Sequence, residues 1–145
     1  MKELTLDQAI QAAIELNKNV SEKGLAVGFS ELEKAVQDFE SEGYPIQTII
    51  PQGEDASLGF SLKRADGKKF WEIYSDLIRK SLCNSGGELH KLIGSGISTS
   101  VGAVLTAIVS GLGIPVVALG VMIPIAVIII NTGLDAFCAM ADKKN

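Results

Sequence analysis

Histidine occurs once, at position 90, and cysteine twice, at 83 and 138. A Ser-His-Asp or Cys-His set would have to use His90, which has no acid at a helpful fixed spacing, so no enzymatic activity is expected. The cysteines form no C-x-x-C pair and have no histidine set beside them, so no metal centre is expected. Gly94-Ser95-Gly96-Ile97-Ser98-Thr99 has the look of a phosphate loop but lacks its lysine and a preceding strand. Its glycines are better explained by packing in a membrane, and no cofactor is expected. The longest absence is of charge. Between Lys91 and Asp135, forty-three consecutive residues hold no Asp, Glu, Lys, Arg or His.

Crossing a hydrocarbon core of about 30 Å takes roughly 20 apolar helical residues. The charge-free run therefore has the length of two passes, about 92–112 and 114–131, with Gly111-Leu112-Gly113-Ile114-Pro115 as the turn. These residues predict a mainly α membrane protein: a small helical N-terminal domain with a minor β element over 1–84, a transmembrane hairpin over 85–133 and a short tail over 134–145. Arg79, Lys80 and Lys91 precede the hairpin, Lys143 and Lys144 follow it, and the turn carries no charge. The positive-inside rule then places both termini in the cytoplasm and the protein in an inner or plasma membrane. No secretory signal opens the chain. On that reducing side both cysteines are expected as free thiols.

The front is acidic, with 11 acidic and 4 basic residues in 1–57, whereas 58–91 holds 7 basic and 4 acidic. An acidic front argues against nucleic acid as a partner, because phosphate neutralisation needs clustered Lys and Arg. Thr5-Leu6-Asp7-Gln8 has the form of a capping box, and Leu6, Ile10, Ala13 and Ile14 recur at helical spacing, predicting a helix over about 6–18. A second box at Ser30-Glu31-Leu32-Glu33 predicts another helix, buried through Leu32, Ala35, Val36 and Phe39 and capped by Gly43. Two short amphipathic helices need a third layer to bury against. Residues 46–50 and 58–62 read as a two-stranded element. From Lys68, Phe70, Ile73, Tyr74, Leu77 and Ile78 favour a helix, either a core helix or an interfacial one that places Trp71, Tyr74, Arg79 and Lys80 at the headgroup boundary, with Lys91 at the entrance of the hairpin beyond it.

On a helical wheel the first pass divides into a greasy face and a small, hydroxyl-bearing face. Along one row Gly94, Ser98, Gly102, Thr106 and Ser110 are all small, with Ser95 and Thr99 beside them. Such a face admits close helix packing, in a hairpin or homo-oligomer, or lines a water path. In the second pass Gly120, Pro124 and Asn131 share one edge. Pro124 cannot donate to the Gly120 carbonyl, which makes a hinge that the small face of the first pass is expected to cover. This Ala/Gly/Ile/Val-rich hairpin, over about 93–133, resembles the hydrophobic hairpin of pore-forming colicins in composition. The front is short for the many helices those toxins use as a soluble sheath. The resemblance implies a hairpin buried in a soluble bundle until triggered. The hairpin and its small face predict a self-associating membrane protein that forms a pore or perturbs the lipid bilayer under control of its cytoplasmic domain, as toxin-like or defence-type effectors do. Two other readings stand beside it: a tethered adaptor whose acidic domain binds a partner protein, and a soluble latent colicin-like hairpin.

Overall fold

The computed structural model of the protein describes residues 4–43, 67–84, 87–94 and 100–143. Helix α1 runs Leu6–Lys23 and starts as the sequence reading expects. Thr5 Oγ1 accepts from the Gln8 N–H at 3.1 Å and the Thr5 N–H donates to Gln8 Oε1 at 3.0 Å. It ends at Gly24 (φ 104°, ψ 168°), a backbone conformation reached almost only by glycine. Helix α2, Leu25–Ser41, begins on the next residue. The expected start at Ser30 is therefore five residues late: Gly24 turns the chain so sharply that it closes one helix and opens the other.

Helix α3 covers Gly67–Leu82, where the periodicity predicts it, and α4 covers Glu88–Gly94. Helix α5, Val101–Leu112, is capped by Ser100, whose Oγ accepts from the Ala103 N–H at 3.1 Å, and is closed by Gly113 in the left-handed region. Past Pro115, a 3-10 turn over Val116–Ala118 leads into α6, Leu119–Thr132. After Gly133, α7 runs Leu134–Lys143. All of these described elements are helical. The two-stranded element expected at 46–50 and 58–62 lies outside the described residues.

The transmembrane hairpin is overturned, since no described helix is long and apolar enough to cross a membrane. Ser100 starts α5 late and the Gly113–Pro115 break shortens α6. At 1.5 Å per residue, 12 and 14 residues reach only about 18 and 21 Å against about 30 Å of hydrocarbon. The positive-inside argument and the membrane location built on it lose their premise.

What α6 does instead is form the centre of the described core. Every residue from Val121 to Ile129 is buried, and α6 packs against α1, α2, α5 and α7. A helix that is apolar on every side satisfies itself inside a shell of one-sided helices as well as in lipid. The apolar faces of α1 (Ala9, Ala13, Val20) and α2 (Leu32, Val36, Phe39) supply that shell. The third layer that the two front helices need is α6.

Candidate functional site

The hairpin of α5 and α6, the helices sheathing it and the bond that closes around it form the candidate site. At two contacts with the sheath a glycine leaves no room for a side chain. A Cβ on Gly28 of α2 would lie 3.0 Å from Ile128 Cγ1 of α6, and one on Gly102 of α5 would lie 3.1 Å from Ile10 Cγ2 of α1. At the far end of α6, Asn131 Nδ2 donates to Asn17 Oδ1 at 2.6 Å and to the Val127 carbonyl at 2.8 Å, while Ser21 Oγ donates to Asn131 Oδ1 at 3.3 Å. Asn131, expected at a hinge, is thus a polar rivet between α6 and α1.

At Gly102 the small face of α5 meets Ile10 of α1. Thr106 Oγ1 donates to the Gly102 carbonyl at 2.8 Å, and Ser110 is exposed. Together with Ile10, Glu88 and Lys91 these residues line an open groove between α1, α4 and α5. Gly94 ends α4, and Ser95, Ser98 and Thr99 lie outside the described residues. The edge of α6 bearing Gly120 and Pro124 faces a groove between α1 and α2, beside Leu16, Ala35 and Ile123. The expectation that α5 covers this edge is corrected: the residues outside α6 that line the groove beside Gly120 and Pro124 come from the front of the chain, so α1 and α2 flank the break in the hydrogen-bond ladder of α6.

The residues expected at a headgroup boundary do not share a surface. Trp71 is half-buried, edge-on to Phe29 at 5.6 Å and tilted against Phe137 at 6.1 Å. Tyr74 is buried and stacked on Phe70 at 5.0 Å; its hydroxyl has no hydrogen-bond partner among the described residues, and burial pushes its pKa well above the ordinary phenol range. Arg79 is only 6 % exposed. Its Nε donates to the Phe137 carbonyl at 3.1 Å and its guanidinium lies 4.4 Å from the centre of the Phe137 ring. Burial lowers the Arg79 pKa and the Asp76 carboxylate opposes that shift. Lys80 and Lys91 point outward and pair with Asp76 at 3.3 Å and Glu88 at 3.8 Å.

The cysteines are joined, not free: Cys83 and Cys138 form a disulfide across a separation of 55 residues. It ties the end of α3 to the middle of α7, so α4, α5 and α6 all lie inside the covalent loop. Nothing local in the sequence announces this pairing. Gly28 carries a weak signal, as a glycine inside an otherwise helical pattern. Compared with family models, curated proteins and solved structures, the chain matches none.

Proposed function

We propose that the chain is a latent membrane-perturbing protein whose resting form hides its apolar hairpin under its own amphipathic helices. One observation carries this reading: the helix with the greatest affinity for hydrocarbon, α6, is the one most completely withdrawn from solvent. Eleven Ile, Val or Leu residues lie between Ile114 and Ile130. At about 0.3–0.6 kcal/mol each, their preference for a bilayer interior sums to roughly 3–7 kcal/mol. Protein core and lipid satisfy such a surface about equally well, so a modest bias on the sheath decides where it goes. Because α6 reaches only about 21 Å, the action proposed is entry to part of the bilayer depth with local thinning, not a standing channel.

The test is dye leakage from vesicles with the full chain and a variant whose sheath is loosened. Gly28→Val pushes α2 away from Ile128 and should speed leakage relative to the unmodified chain at equal concentration. Absence of leakage from both, with the variant shown by hydrogen exchange to be loosened at α6, would defeat the reading. The hairpin would then be only a core. The exposed acidic residues of α1 and α2 would remain as the contact surface of an adaptor.

A further inference from the structure

We propose that the Cys83–Cys138 disulfide is the latch on the hairpin and that a thiol reductant opens it, an inference that rests on the latent reading above. The bond lies neither within the sheath of α1 and α2 nor within the hairpin. It joins the chain before α4 to the helix after α6, with Cys83 directly after α3 and Cys138 in α7. Cutting it removes no helix cap and no residue of the core. It frees one loop, and that loop contains the whole apolar run.

The geometry around the bond suits release. Between α6 and α7 stands Gly133 at φ 98°, a joint at which α7 can change direction against α6. The non-covalent half of the same seam is the Arg79 contact with the carbonyl and ring of Phe137, which holds α7 on α3. Both cysteines are half-buried, at the edge of the core and not sealed inside it, and exchange needs one sulfur to become accessible to an attacking thiolate. In the exchange a reductant thiolate bonds to one cysteine sulfur as the Cys83–Cys138 bond breaks, and the other cysteine leaves as a thiolate. A second reductant thiolate then attacks the reductant sulfur of the mixed disulfide and releases the remaining cysteine. Two electrons reach the protein, the cysteine thiolates take up two protons, and the reductant departs as its own disulfide. The chain entropy restored to a loop of 55 residues corresponds to an opening equilibrium raised by up to about a thousandfold.

The experiment uses the oxidised full chain with phosphatidylcholine vesicles loaded with a self-quenching dye, with and without dithiothreitol, and follows amide exchange in α6 and α7 in parallel. Reduction should raise the leak rate on the order of tenfold or more, a small part of the loop-entropy figure, and should speed exchange in both helices. Cys83→Ser combined with Cys138→Ser should leak without reductant and ignore its addition. Measurable leakage at the same rate in the oxidised and reduced chain overturns the latch and leaves the membrane reading standing. Faster exchange on reduction with no leakage overturns the membrane reading and supports the latch as an opening device. Unchanged exchange overturns the latch whatever the vesicles do.

Discussion

Replacing Gly28 measures how tightly the sheath grips the apolar helix. Two effects of opposite sign meet at this position. Alanine gains about 0.8–1 kcal/mol over glycine inside a helix. Its methyl would stand 3.0 Å from Ile128 Cγ1, closer than carbon atoms settle, so α2 or Ile128 must move. Overpacking a close contact costs typically about 1–3 kcal/mol. Gly28→Ala should therefore range from neutral to about 2 kcal/mol less stable, the overpacking cost less the helix gain. Gly28→Val adds two further carbons toward the same neighbour with a smaller helix gain, and should lose about 2 kcal/mol or more. Urea unfolding reads this as a lower midpoint at unchanged slope. A cycle with Ile128→Ala sharpens the test, because the alanine methyl at 28 partly fills the space that Ile128 vacates. The double variant should lose less than the sum of the single losses. Additive losses, or valine no worse than alanine, would mean that α2 does not press on α6 at this point.

Four residues earlier the same substitution acts by other means. Nothing would lie within 4 Å of a Cβ on Gly24, yet its φ of 104° and ψ of 168° are nearly closed to alanine, so Gly24→Ala should lose about 1–3 kcal/mol in thermal or urea unfolding. Tyr74→Phe should hold or raise stability by up to about 1 kcal/mol, because the buried hydroxyl has no partner among the described residues and its removal ends a desolvation cost. Burial raises the pKa of Tyr74 in the fold, so above about pH 10 the unfolded chain gives up this proton first and stability falls as pH rises. That part of the alkaline loss should be missing from the Tyr74→Phe curve.

Local chemistry carries much of the fold in readable form. Thr5 and Gln8 mark the start of α1, and the spacing of Phe70, Tyr74, Leu77 and Ile78 marks the buried face of α3. The solvent of the apolar run is not written locally. Ile125, Val127 and Ile129 present the same surface whether lipid or other helices cover them. The deciding signs are spread along the chain: the Ser100 cap, which starts α5 late, the 3-10 turn after Pro115, which delays α6 to Leu119, and the apolar stripes of α1 and α2, which have nowhere else to go. Small residue size at Gly102 is readable in the sequence, but the neighbour it admits, Ile10 of α1, is not, and the same holds wherever the site depends on a distant partner. Asn131 reads as the polar end of a hinge until Asn17 and Ser21 stand beside it, and nothing near Cys83 points 55 residues ahead to Cys138.

Release of α6 has a consequence for the helices it leaves. The stripes formed by Ala9, Ala13, Val20, Leu32, Val36 and Phe39 lose their cover, and a nearby lipid surface is the obvious replacement. The opposite faces of the same helices are acidic, with eight acidic against three basic residues between positions 4 and 43. A surface charge near a membrane is worth on the order of 1 kcal/mol when its sign suits the lipid, and costs a comparable amount when it does not. Only part of the excess can approach the headgroups at once. Even one or two such charges would slow action on anionic vesicles roughly tenfold at low salt, and screening should remove most of the difference near 1 M, where the Debye length falls to about 3 Å. The reduced chain should accordingly leak phosphatidylcholine vesicles faster than vesicles rich in phosphatidylglycerol, with the gap closing as salt is added. Faster leakage from the anionic vesicles at low salt would show that α1 and α2 stay off the membrane and that the basic residues Lys80 and Lys91 lead the approach.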